Sequence, residues 1–204
     1  MISVGITGGI GSGKTTVCNI WEKLGAFVLN ADDLAKKIMI ENEEVISEIR
    51  TSFGDKAYHP DGRLNRSYLA VEAFQKDRVS ELNAIVHPRI SAESRKIMET
   101  ARRRGYKLFV YEAALLFENL KPGFLDYIVL VLADQQKRTE RVKKRDRTSA
   151  KNVRQRMEKQ QDFGKYVNLA DFVIYNNDSL EELETRAREL YHTLLNSQKG
   201  NTRN

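Results

Sequence analysis

Gly8-Gly9-Ile10-Gly11-Ser12-Gly13-Lys14-Thr15 is the stretch of this 204-residue chain whose residue types and spacing carry the plainest chemistry. It fits G-x-x-x-x-G-K-[ST], in which glycines let successive backbone N–H groups close around phosphate oxygens. A helix that starts there adds partial positive charge at the same point. In that chemistry Gly11, Ser12, Gly13, Lys14, Thr15 and Thr16 hold ATP. Lys14 reaches the β- and γ-phosphates, and the Thr15 hydroxyl holds Mg²⁺. A glycine turn with no ligand would share the composition but not the flanks. Ile2, Val4 and Ile6 precede the loop as an apolar strand, and Thr16 to Lys23 follow as a helix.

Two further stretches carry charge where a phosphate-transfer site needs it. Asn30-Ala31-Asp32-Asp33 follows the short apolar run 26–29. Open α/β sheets place ligand residues beyond the carboxyl ends of their strands. An aspartate there can equally cap the next helix, read as 34–40. The second stretch, Gln136 to Gln160, holds eleven Lys/Arg against three Asp/Glu. Within it Arg138, Arg141 and Arg145 fall at i, i+3 and i+7, one face of a helix. Such a face is a lid that neutralises migrating phosphate charge, a nucleic-acid surface, or a solvated helix. No aromatic residue interrupts the segment, which argues against base stacking.

The elements that must position these groups alternate strand and helix, which predicts a parallel α/β sheet. Strands are read at 2–7, 26–29, 108–111, 127–132 and 172–175. Between the second and third lies more helix than an ordinary crossover needs. Val45, Ile46 and Ile49 mark one helix, 53–64 is rich in turn residues, and 68–74 reads as helix again. A further helix through Leu82, Ile85 and Val86 is read as ended or kinked near His87-Pro88, with helix resuming from Ile90 to Arg103. A last helix runs 180–195 with Ser179 as its cap, and 197–204 reads as a frayed tail.

A net charge of +6 is set entirely by the basic segment, since the rest of the chain is slightly acidic. The single cysteine, Cys18, has no internal partner, which fits a reducing cytoplasm and a buried thiol. No apolar run is long enough to cross a bilayer. Glu112, ending the third strand, is read either as a second group near the metal or as a solvated strand-end glutamate. These features leave room for a small-molecule kinase or for a nucleic-acid-binding ATPase-like module.

The chain resembles the dephospho-CoA kinase family. The likeness rests on Thr7 to Lys14, Ala31-Asp32, Phe53-Gly54, Asp61-Gly62-x-Leu64-x-Arg66, Leu82-x-x-Ile85-Val86-His87-Pro88-x-Ile90 and Leu115-Leu116-Phe117-Glu118. It continues through Arg141 with Arg145-Asp146, Arg156 with Gln160, Ala170-Asp171 and Ile174-x-Asn176. The resemblance implies transfer of the ATP γ-phosphoryl to the ribose 3′-hydroxyl of dephospho-CoA, giving CoA. It implies a five-stranded P-loop kinase core (1–33, 105–134, 168–196), a helical CoA-substrate subdomain (34–104) and a helical lid (135–167). By the same resemblance, Asp32 orients the acceptor hydroxyl and takes its proton. Lys36, Arg66 and His87 line the acceptor side, and Lys14, Arg141 and Arg145 serve the transferred phosphoryl. His87 has a plainer reading as a helix-end histidine. Asn30, Lys36, Ala114 and Tyr175 depart from the family's usual Asp, Arg, Pro and Asp. No nucleic-acid or membrane partner is implied, and the sequence leaves the oligomeric state open.

Overall fold

The structure is a computed structural model describing residues 1–114, 116–117 and 122–200, the side chains at 74 and 198–200 aside. It forms a five-stranded parallel sheet in the order β2-β3-β1-β4-β5, flanked by helices. The strands are β1 (Ile2–Thr7), β2 (Phe27–Asn30), β3 (Leu108–Glu112), β4 (Tyr127–Leu132) and β5 (Phe172–Tyr175). β1 pairs with β3 in a register that sets Ile6 opposite Glu112, and with β4 so that Thr7 faces Leu130. β1 and β3 are buried along their whole length, as strands covered on both faces are, Ser3, Thr7 and Glu112 being their buried polar residues.

The chain divides into two units, residues 1–29 with 99–204, and residues 30–98. In the first unit the core lies between the sheet, α1 (Lys14–Lys23) and α8 (Leu180–Gly200). Ile2, Val4, Ile6, Val129 and Val131 meet Val17, Trp21, Leu183 and Leu194 there. Trp21 is fully buried, and its indole N–H donates to the Ala187 carbonyl at 2.7 Å, so its one polar atom is satisfied. The basic segment folds as two helices, α6 (Gln135–Asp146) and α7 (Ala150–Glu158), packed through Val142, Val153 and Met157. The block read as Leu115 to Glu118 lies partly outside the described residues. Phe117 is within them and stacks on Tyr166, ring centroids 4.6 Å apart.

The second unit holds α2 (Ala31–Glu41), α3 (Glu43–Phe53), the short α4 (Arg66–Ala70) and most of α5 (Val79–Arg103). Three expectations are corrected. First, α2 begins at Ala31 and not Leu34, and neither aspartate caps it. Asn30 does, accepting from the Asp33 N–H at 3.0 Å. Second, of the two readings at His87-Pro88, an ended or a kinked helix, the first does not hold, since α5 continues through Pro88. The ring deprives only the Ala84 carbonyl of its helical donor, a loss that the apolar stripe of a 25-residue helix outweighs. Third, the helix capped by Ser179 does not end at 195 but runs on to Gly200. Residues 201–204 lie outside the described residues.

Candidate active site

The glycine loop leaves β1 at the centre of the sheet, between the carboxyl ends of β3 and β4. From β1 the chain turns toward β2, and from β4 toward β5, so connections diverge at this point and open the crevice in which such sheets bind ligands. Lys14, the first residue of α1, arches back over the loop, its ammonium donating to the Gly8 carbonyl at 2.6 Å and the Gly9 carbonyl at 3.4 Å. Gly13 must be glycine. Its φ of +106° is left-handed, and a Cβ there would overlap the Asn176 side-chain amide.

Glu112 sits beside this loop because β3 pairs with β1. It is 6% exposed, and its carboxylate accepts from the Thr15 hydroxyl at 2.8 Å. The solvated reading of Glu112 is therefore wrong. The strand that ends there is interior to the sheet, between β2 and β1, and its last side chain points into covered space. Burial pushes the Cys18 thiol up, and the neighbouring Glu112 carboxylate adds to the effect, so the thiol stays protonated.

Three groups from other elements close on the loop. Asn176, just past β5, is buried, donates to the Ser12 carbonyl at 2.7 Å and accepts from Arg141 at 3.2 Å. Gln160, just past α7, accepts from the Ile10 N–H at 2.9 Å. Arg138 donates to the Ile10 carbonyl at 2.8 Å and to Gln160 at 3.3 Å. Among the described residues, Arg141 Nη1 and the Ser12 hydroxyl are buried without a hydrogen-bond partner, which leaves two donors available at the loop.

The three arginines on the shared face of α6 thus divide. Arg138 holds the loop tip and Arg141 meets Asn176, while Arg145 forms a fork with Asp146 at 2.7 and 3.3 Å. Asp146 also receives Arg156 at 2.9 Å, and these two guanidinium groups, Arg145 first, hold its carboxyl below the usual range.

The remaining expected residues lie in the second unit. Asp32 and Lys36 stand one turn apart on α2, on the face away from buried Leu34 and Ile38, and both are exposed. Lys36 pairs with Asp33 at 2.6 Å. Arg66 opens α4 and is exposed. His87 is half-buried in α5, and burial pushes its imidazole below 6.5, so it is neutral at physiological pH. Asn176 and Gln160 stand within the family pattern, but as neutral amides they carry no charge or periodic signal from which this task follows.

Comparison with known proteins agrees with this geometry. The family described as dephospho-CoA kinase matches residues 2–182. A dephospho-CoA kinase of Salinibacter ruber is 42% identical over 199 residues, covering 97% of this chain and all of that one. A crystal structure from Thermus thermophilus superposes with a TM-score of 0.77 at 34% identity, covering 95% of this chain and 97% of that one. The dephospho-CoA kinase of Campylobacter jejuni gives 0.70 at 25% identity, with 98% of each chain covered. A parallel sheet with a phosphate loop at its switch point, matched end to end by these relatives, places the chain in the dephospho-CoA kinase family of P-loop kinases.

Proposed function

We propose that this chain carries out its family's reaction, the last step of coenzyme A biosynthesis, with the residues of the phosphate loop, α6 and α2. The γ-phosphoryl of ATP passes to the ribose 3′-hydroxyl of dephospho-CoA. The observation that carries the reading is the loop itself: a glycine cradle with Lys14 over it, Thr15 tied to buried Glu112, and Arg141 offering an N–H with no partner among the described residues. Lys14 and the loop N–H groups hold the β- and γ-phosphates, and Arg141 meets the charge that spreads over the equatorial oxygens. Arg145 assists on leaving Asp146, with 135–167 acting as the lid.

The donor set suits Mg²⁺. Among the described residues no group of three or more His, Cys, Asp or Glu side chains could hold a metal. The Thr15 hydroxyl beside a carboxylate is instead the sparse, hard-oxygen site Mg²⁺ uses when phosphates and water complete its shell. When bound, Mg²⁺ neutralises phosphate charge. Glu112 orients Thr15 for that task.

Asp32 orients the acceptor hydroxyl and accepts its proton. Its position supports this, since it follows a strand end and faces solvent on α2 while Asn30 has taken over capping. Neutral His87, with Arg66 and Lys36, lines the acceptor side within residues 30–98.

The test is steady-state phosphorylation of dephospho-CoA, nucleoside monophosphates and shikimate by wild type, Asp32→Asn and Asp33→Asn. Wild type is expected to use dephospho-CoA. Asp32→Asn loses on the order of 10²-fold or more of that activity with an unchanged melt, and Asp33→Asn stays active. Loss at Asp33 in place of Asp32 would overturn the assignment of the base.

A further inference from the structure

Ile10, at the tip of the phosphate loop, is held from three directions by the α6–α7 hairpin. Its N–H donates to Gln160 Oε1 at 2.9 Å, and its carbonyl accepts from Arg138 Nε at 2.8 Å. Its side chain packs on Val142, Val153 and Met157, the apolar seam between the two helices. Arg138 Nη2 also donates to Gln160 Oε1 at 3.3 Å, which closes a ring of side chain, backbone and side chain. The fit is tight, since a Cβ at Gly9 would overlap the Arg138 guanidinium, and one at Gly11 would press on the Arg138 backbone and Val142. Burial of the Arg138 guanidinium in this contact disfavours its charged form, as expected of a group turned into the protein and not toward solvent.

Ile10 is the second of the four unspecified residues in the glycine pattern, two positions before Ser12 and four before Lys14. Fixing both its backbone groups fixes the peptide planes on either side of it, and so the direction in which the next amides point. A cradle set before the anion arrives loses less freedom on binding. We propose that Gln160 and Arg138 are positioning residues that latch the loop tip to the α6–α7 hairpin and so set the loop's affinity for the triphosphate. On this assignment Arg138 is not a phosphate ligand, although it shares a helix face with Arg141. The proposal rests on the reading of the loop as the phosphate site.

Gln160 uses only its oxygen in these bonds, so the latch makes a sharp distinction. Gln160→Glu keeps the acceptor, whereas Gln160→Leu keeps the shape and removes it. The test is calorimetric titration of the full chain with inorganic tripolyphosphate and with ATP, beside thermal melts and KM values for both substrates. Gln160→Leu is expected to weaken both anions about tenfold or more, to raise the KM for ATP in step and to leave the KM for dephospho-CoA within about twofold. Gln160→Glu should restore both affinities to within about threefold of wild type. Arg138→Met should resemble Gln160→Leu, and the double variant should lose little more than either alone, because the two act on one peptide. If Gln160→Leu does not fold, Arg138→Met decides by the same measurements.

Tripolyphosphate binding unchanged in Gln160→Leu, or in Arg138→Met, overturns the latch. Loss for ATP with none for tripolyphosphate overturns it too, since Gln160 would then serve the nucleoside. Equal rises in KM for both substrates overturn it in favour of a merely structural role. A wild-type protein that ignores tripolyphosphate overturns the phosphate-loop reading itself.

Discussion

Glu112 shows how one side chain acquires a task from its neighbours. It is a strand-end glutamate open to two readings until β3 pairs with β1 and brings its carboxylate 2.8 Å from the Thr15 hydroxyl. Glu112→Gln keeps an oxygen for that bond but removes the charge. The expected outcome is a melt close to wild type with an apparent Mg²⁺ affinity lower by about 10- to 100-fold, read from turnover against Mg²⁺ concentration. An unchanged Mg²⁺ profile would make Glu112 a packing residue. The arginines give a second comparison at this scale. Arg141 has a buried N–H with no partner among the described residues, whereas Arg145 is already paired and 62% exposed at its side chain. Arg141→Ala should therefore reduce turnover more than Arg145→Ala, and both more than Lys151→Ala. Similar small losses at all three sites would return α6 to the status of a solvated helix. Lys14 and Thr15 could be read from spacing because they lie within a few residues of the glycines they serve. Asn176 and Gln160 act on the loop from more than 145 positions away, and nothing local marks them.

At the scale of elements, local chemistry set the boundaries where one signal dominated and misled where two competed. β4 and β5 were legible because each is a short apolar run between turn residues. At the start of α2, Asp32 and Asp33 both carried the capping signal, yet the residue that caps is Asn30, since its extended backbone (φ −86°, ψ 113°) lets its side chain turn back to Asp33 N–H. Replacing Asn30 by Ala should cost about 1 kcal/mol by chemical denaturation, while Asn30→Asp should cost little, because Asp caps as well. If Asn30→Ala is neutral and Asp32→Ala is the costly change, the cap has been assigned to the wrong residue. At Pro88 the local signal allowed an end or a kink, and the helix does not end. The residue before a proline is usually driven from helical geometry, yet buried Ile85 and Val86 on one side and Ser94 and Ala101 on the other belong to one continuous helix.

In the whole molecule, the sheet and its two covering helices seal the underside of the nucleotide loop. Cys18 reports on that seal. It is 1% exposed, and both burial and Glu112 hold its thiol protonated, which removes the reactive thiolate. Iodoacetamide at neutral pH should leave native protein unmodified and alkylate Cys18 fully in denaturant, as read by mass spectrometry. Modification in the native state at the unfolded rate would mean that α1 does not pack as described. By itself the sequence determined the alternation of strand and helix, the phosphate loop, the acidic stretch after β2 and the basic segment. Each of these is a pattern of neighbours, fixed by hydrophobic period, glycine freedom or charge within a few residues. Only the tertiary structure decided that Glu112 is buried against Thr15, that Asn176 and Gln160 hold the loop, and that Arg138, Arg141 and Arg145 meet three different partners. Those facts depend on which strands are neighbours and how the α6–α7 hairpin sits over β1. Such contacts form between residues remote in the chain, and the sheet's order 2-3-1-4-5 brings them together.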